Sequence, residues 1–325
     1  MAASQTPRLQ PDCSLPPLSD WSPQGPFAVA LSSGADSTAL LWACVTRWPH
    51  WTRAIHVNHG LQPAAQDFEW HAQHLCARWN IPCVVQRVHA HPQAGQSPED
   101  AARTTRYLAL AHAAQTSFDA PLTAVLLAQH AQDQAESVLL AWSRGAGLPG
   151  LAAMPTQMQR HGVTFVRPWL TQSGDSLRQA LRRAGVAWVE DPSNRSQAYT
   201  RNRIRHQVLP VLEVALPGSQ ATLARTARHA AEAMDLLQDL AQLDAQRVGL
   251  PPRIAELQLL SARRQAHVLR FWLASMGTQA QAAQMQALLI QVSACKTRGH
   301  RIHLKVGQGH VVREGDVLAW LQSKV

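Results

Sequence analysis

Cysteine is scarce in this chain of 325 residues: Cys13, Cys44, Cys76, Cys83 and Cys295 stand apart, with no C-x-x-C pair. That argues against a zinc knuckle or a disulfide framework and leaves reduced, mostly buried thiols as the expectation. Long apolar runs are also missing, and none approaches the roughly 20 residues needed to cross a bilayer. The Pro-rich, polar start lacks the basic-then-apolar order of a secretion signal. A cytoplasmic protein with a disordered leader over residues 1–25 is expected. The sixteen histidines include no H-E-x-x-H pair. Lysine is nearly absent, at three residues, so arginine supplies almost all of the positive charge. Arginine suits bidentate phosphate contacts and stacking on bases.

The charge that is present lies unevenly. Residues 1–195 carry 14 basic and 13 acidic groups, whereas residues 196–325 carry 16 and 8. A near-neutral front and a basic back suggest a catalytic domain joined to a polyanion-binding one. The boundary is expected near Pro217-Gly218, giving a catalytic domain over residues 26–216 and a basic, mostly helical domain over 217–325. Three short alternating runs, Arg301 to Val306, His310 to Arg313 and Val317 to Leu321, predict small antiparallel strands at the end.

In the front half, apolar runs alternate with helical patterns. Strands are predicted at Phe27 to Leu31, Arg53 to Val57, Cys83 to Val88 and Leu122 to Leu127. Helices are predicted at Thr38 to Arg47, over 66–79, at Glu99 to Ser117 and at Asp133 to Trp142. Beyond these, Gly162 to Leu170 reads as extended, and Asp175 to Ala184, residues 201–215 and Ser219 to Val248 read as helical. The alternation implies an α/β fold with a doubly wound parallel sheet, whose ligands sit at the carboxyl ends of the strands. Ser32, the turn from His56 to Gly60, and His130 would all emerge there.

The stretch Phe27 to Leu41 organises the chain. A strand runs into Ser32-Ser33-Gly34-Ala35-Asp36-Ser37, and a helix follows at once. Small residues let backbone approach a ligand, and the first free amides of the helix favour an anion such as phosphate. The Walker spacing G-x-x-x-x-G-K-[ST] is missing, and Asp36 suits magnesium on a pyrophosphate leaving group. This loop resembles the SGGxDS loop of the ATP pyrophosphatases, with Ser33 in place of the first glycine. If that position needs a positive φ, serine there costs about 1 kcal/mol or more.

Further motifs narrow the resemblance. His56-Val57-Asn58-His59-Gly60-Leu61 is similar to HVNHGLR, Ala128 to Ser137 to AHHxDDQAET with Gln132 replacing the first aspartate, and Arg144 to Leu151 to RGSGLRGL. With Glu99-x-x-Ala102-Arg103-x-x-Arg106-Tyr107, Arg167-Pro168-Trp169-Leu170 and Glu190 to Asn194 leading to Arg201-Asn202-Arg203-Ile204-Arg205, the chain resembles the tRNA(Ile)-lysidine synthetases. The resemblance implies ATP-dependent attachment of free lysine to carbon 2 of the wobble cytidine in the CAU-anticodon isoleucine tRNA. The cytidine would first be adenylated and pyrophosphate expelled, and the lysine amine would then displace AMP.

On that reading Ser32, Ser33, Gly34, Ala35, Asp36 and Ser37 bind ATP, Asp36 also holds magnesium, and His56, Asn58 and His59 lie by the nucleoside. His130 and Asp133 join Asp36 as catalytic residues. Glu136, one turn from Asp133, shares its helix face; the pair could orient His130 or hold the cationic lysine, and could equally favour the helix N-terminus. Arg103, Arg106 and Arg144 count as substrate-binding residues. Arg195, Arg201, Arg203 and Arg205 suggest contact with the tRNA backbone or closure over the nucleotide. Rival readings are a tRNA-binding protein with lost catalysis, a 2-thiocytidine synthetase, which would need paired cysteines, and an ammonia-dependent amidating enzyme. The oligomeric state stays open, a homodimer being one option.

Overall fold

The computed structural model describes residues 15–18, 21–60, 65–88, 98–197, 199–297 and 299–322. It divides into two compact units, Met1–Ala231 and Glu232–Val325. The first is built on a six-stranded sheet of β1 (Phe27–Ala30), β2 (Thr52–Asn58), β3 (Cys83–Arg87), β4 (Val125–Leu126), β5 (Gln157–Arg160) and β6 (Val163–Val166), in the order β3-β2-β1-β4-β6-β5. All pairings are parallel except that of edge strand β5 with β6. The chain winds outward from β1 to β3 and then returns to lay β4 on the other side of β1. That reversal opens a crevice at the carboxyl ends of β1, β2 and β4.

Alternate strand residues serve opposite faces, as the two-residue period requires. Phe27, Val29, Ala54 and Leu126 pack with Leu40 and Leu41 of α1 (Ala35–Arg47), Leu75 of α2 (Ala65–Arg78) and Leu177 and Leu181 of α6 (Gly174–Ala184). Ala28, Ile55, Val125 and Phe165 pack instead with Tyr107, Leu110 and Ala114 of α3 (Pro98–Thr116). Each leucine fully withdrawn from water stabilises the fold by about 1.5–3 kcal/mol, so both layers are firmly held. Residues 1–14 of the expected leader lie outside the described residues. Nearer the sheet, leader residues pack: Leu18 is buried, Trp21 meets Phe27 and Trp48 edge-on, and the Trp169 indole donates to the Pro17 carbonyl.

The elements follow the sequence pattern with instructive exceptions. Helix α1 starts at Ala35, three residues before Thr38, because Gly34 is the extended N-cap and the loop from Ser32 merges into the helix. Strand β4 shrinks to two residues. The single extended stretch expected from Gly162 is the second arm of a hairpin, turned at His161 and Gly162, both with positive φ. The helix expected over 201–215 is broken into α7 (Thr200–Arg203), a π-helical turn (Ile204–Val208) and α8 (Leu209–Ala215). Pro210 has no amide to offer the preceding turn, which removes one α-helical bond there. Helices α4 (Ala131–Ser143) and α5 (Leu148–Leu151) complete the first unit, and the long helix α9 (Ser219–Val248) runs across the division.

In the second unit, after the short α10 (Ile254–Gln258), α11 (Ala262–Ser275) and α12 (Ala282–Ala294) enclose a core with the antiparallel sheet β7 (His303–Val306), β8 (Gly309–Glu314) and β9 (Val317–Gln322). Val268, Leu269, Trp272, Leu288, Val292, Val306, Val311 and Leu318 fill it. Among the described residues, no helix is long and apolar enough to cross a membrane.

Candidate active site

The crevice holds a cavity of about 490 Å³, lined by the ends of β1, β2 and β4, within the roughly 300–1,000 Å³ usual for small-molecule sites. Ser32, Gly34, Ala35, Asp36 and Ser37 line it from the loop and the first turn of α1. The hydroxyls of Ser32 and Ser37 lie 3.0 Å apart, and Ser37 Oγ also accepts the Ser32 amide at 3.1 Å. Ser33 alone of residues 32–37 is absent from the wall. Its φ is 67°, and its hydroxyl donates inward to the Phe68 carbonyl at 2.7 Å. The left-handed conformation costs a side chain about 1–2 kcal/mol, and a buried hydrogen bond contributes about 0.5–1.5 kcal/mol. The two effects nearly cancel, which is how serine occupies this position.

On the β2 side, His56 Nδ1 donates to the Leu31 carbonyl at 2.8 Å. Burial lowers its pKa, so the ring is neutral near pH 7, with Nε2 its acceptor. Asn58 Nδ2 donates to Glu69 at 2.8 Å and Asn58 Oδ1 accepts the Gly60 amide at 2.9 Å. His59 also faces the cavity; burial, with Arg106 and His56 nearby, lowers its pKa.

His130 caps α4 and is buried. Its Nε2 lies 3.5 Å from Asp36 Oδ2 and 3.7 Å from Asp133 Oδ2, while its amide donates to that same Asp133 oxygen at 3.0 Å. Burial opposes a charge on His130, but Asp36 and Asp133 outweigh it and raise the pKa. Burial likewise opposes the Asp36 carboxylate, and His130, Arg178 and Arg205 outweigh it and hold its pKa down. Oδ1 of Asp36 and Nδ1 of His130 are buried without a protein partner among the described residues. The ring lies against Gly174 at the start of α6; a Cβ there would come within 2.7 Å of its Cε1.

Asp133 and Glu136 share a face of α4, and two arginines close on them. Arg201 Nε donates to Glu136 Oε2 at 2.6 Å, and Arg205 Nε to Oε1 at 2.6 Å. Arg205 Nη2 also reaches Asp133 Oδ1 at 3.1 Å. Glu136 is wholly buried, with both oxygens engaged, so its geometry offers nothing to a lysine ammonium. Arg201 and Arg205 point into the protein, unlike free contacts for an RNA backbone. Arg203 is exposed and bonds Gln197 and Thr200, and Arg195 ends a 3-10 turn.

Of the other expected residues, Arg106 lines the cavity, Arg103 lies over the Tyr107 ring at 5.9 Å, and Arg144 is exposed at the end of α4, off the cavity wall. Arg178 was not among the expected residues, and Glu190, Asp191 and Asn194 belonged to a motif without a site role; with Arg205 these four line both this cavity and a second of about 780 Å³. The second also touches His130, Gln132 and Asp175. Arg178 carried no signal beyond an ordinary amphipathic helix. Arg167, by contrast, is scaffold: it is buried and donates to Gln129, Pro155 and Tyr107.

Residues 12–212 match the PP-loop domain family, and residues 253–318 match the TilS substrate binding domain. The tRNA(Ile)-lysidine synthase of Polaromonas naphthalenivorans is 51% identical over 295 residues, 91% of this chain and 89% of that protein. The protein of the same name from Bordetella pertussis is 40% identical over 313 residues, 91% and 96% of the two chains. Among solved structures, the U34-tRNA thiolase of Methanococcus maripaludis superimposes with a TM-score of 0.55 at 16% identity, over 65% of this chain and 73% of that one. That likeness speaks to the fold alone.

Proposed function

The chain belongs to the PP-loop tRNA(Ile)-lysidine synthases, and on that premise we propose that it uses ATP to join free lysine to carbon 2 of the wobble cytidine in the CAU-anticodon isoleucine tRNA. The observation that carries the chemistry is the convergence of the phosphate loop, Asp36 and Asp133 on one cavity at the switch point of the sheet, with His130, on the wall of the second cavity, 3.5 Å from Asp36 and 3.7 Å from Asp133. The loop and the first amides of α1 receive the phosphates. His56, Asn58 and His59 wall the nucleoside side. His130, its pKa raised by Asp36 and Asp133 against the effect of burial, would offer positive charge where the transferred phosphoryl group gains negative charge. Asp133 fixes His130 through its amide, and Glu136 fixes Arg205, which borders both cavities.

Asp36 also fits magnesium: its Oδ1 is buried without a partner among the described residues, and magnesium characteristically takes one or two carboxylates plus substrate phosphates. When bound, the ion would neutralise phosphate charge and aid departure of pyrophosphate. Free lysine is assigned to the second cavity, where Asp175, Glu190 and Asp191 stand beside Arg178 and Arg205. That wall presents both signs of charge, as a zwitterionic amino acid requires. The exposed Arg263, Arg270, Lys296, Arg301 and Lys305 would hold the tRNA body electrostatically, in the cytoplasm.

The test is incorporation of labelled lysine into a CAU-anticodon isoleucine tRNA transcript by the purified chain with ATP and magnesium, beside a methionine tRNA with the same anticodon. Label on the first tRNA alone, with AMP and pyrophosphate released, is the expected outcome. Salt-sensitive tRNA binding without label would replace the enzyme reading with a binding one.

A further inference from the structure

Ser33 is a node between three walls of the nucleotide cavity. Its φ of 67° is one that glycine adopts freely and other residues rarely do. The residue is nonetheless serine, completely buried, with its hydroxyl donating to the Phe68 carbonyl at 2.7 Å. Its own carbonyl accepts the Val189 amide at 2.9 Å. Phe68, on α2, and Val189, in the segment leading to Asp191, both line the cavity. From α2 the bonds continue: Glu69, next to Phe68, pairs with Arg87 and accepts Asn58 Nδ2, and Asn58 holds the Gly60 amide. The phosphate loop is thereby tied to the wall on which Asn58 and His59 sit.

Backbone geometry alone would favour glycine at this position, and glycine would keep the bond from Val189. It would lose the hydroxyl strut to α2. Alanine would lose the strut as well and keep the steric penalty of a Cβ at positive φ. The three residues therefore separate strain from strut.

We propose that Ser33 is a positioning residue for the nucleotide, its hydroxyl bond to Phe68 holding the α2 wall against the phosphate loop and so setting ATP affinity. This rests on the assignment of ATP to the cavity. The measurement is calorimetric titration of the full chain with an ATP analogue carrying a methylene bridge between the alpha and beta phosphates, without tRNA, for wild type, Ser33→Gly and Ser33→Ala. Ser33→Ala is expected to weaken binding about tenfold, or ~1.4 kcal/mol, and Ser33→Gly about threefold. The KM for lysine in the tRNA assay should stay within twofold in both variants. A Ser33→Ala protein that binds the analogue as wild type does would overturn the proposal. So would equal losses in ATP affinity and lysine KM, the signature of a generally loosened fold. A wild-type chain that binds no analogue removes the ATP assignment and the proposal together; a wild type that binds it while the variants are unchanged removes the proposal alone.

Discussion

Asp244 in the C-terminal unit and Glu136 in the N-terminal one are both carboxylates almost wholly removed from water, at 1% and 0% exposure, and arginine satisfies both. They differ in what else the arginines do. Asp244 on α9 takes a bidentate contact from Arg264 of α11, which joins two helices. Glu136 and Asp133 share two guanidiniums, Asp133 also holds the amide of His130, and Arg205 walls both cavities. The same ionic chemistry fastens the fold in one place and, on the proposed function, positions the residues around the cavities in the other. Burial of an ion pair does not by itself reveal which role it plays.

Substitutions separate the two roles. Asp36→Ala should give the largest effect, abolishing pyrophosphate release from ATP in the presence of tRNA while the tRNA dissociation constant stays near wild type. Normal pyrophosphate release would remove magnesium from this carboxylate. His130→Ala comes next. Loss of a charge aimed at a developing phosphoryl transition state costs on the order of 10²–10³ in kcat, with a smaller change in the KM for ATP. A rise in KM with kcat preserved would make His130 a binding residue.

Glu136→Gln tests the open cluster at its buried end. Breaking a buried ion pair on one side costs about 3–5 kcal/mol, because Arg201 and Arg205 would keep their charge beside a neutral amide. The expected readout is a lowered midpoint of urea unfolding together with a drop in kcat, since Arg205 loses its anchor. A stable variant with wild-type turnover would detach this cluster from the site.

How much of this was readable beforehand depended on whether a residue's partners lay close in sequence. The alternation that puts Phe27 and Val29 on one face and Ala28 on the other was legible as a strand, and the phosphate loop gave Asp36 through its motif. His130 and Asp133, three residues apart, were similarly visible as a pair. For Glu136 the sequence left open whether it orients His130, holds lysine or favours the helix N-terminus, because Arg201 and Arg205, which engage both its oxygens, reach it from 65 and 69 residues away. Arg178 sits on a helix whose pattern announces only that one side is buried; nothing local states that the start of that helix abuts His130. The polar run Gln157–Arg160 became an edge strand because Val163–Val166 supplied a partner, which no propensity of its own would predict.

Asp244→Asn sharpens the comparison from the other side and should give the smallest effect on chemistry. Arg264 is partly exposed, so its charge can return to solvent when its partner is neutralised. The asparagine remains buried between α9 and α11 with fewer satisfied bonds. A lower melting temperature is therefore expected, with the kcat and the KM values for ATP and lysine unchanged at temperatures below the transition. Because its partner Arg264 lies within residues 253–318, which match the TilS substrate binding domain, the affinity for tRNA is the parameter to follow. If that affinity falls while the melting temperature holds, the pair shapes the RNA-binding surface, and the contrast with Glu136 becomes one between two substrates instead of between fold and site.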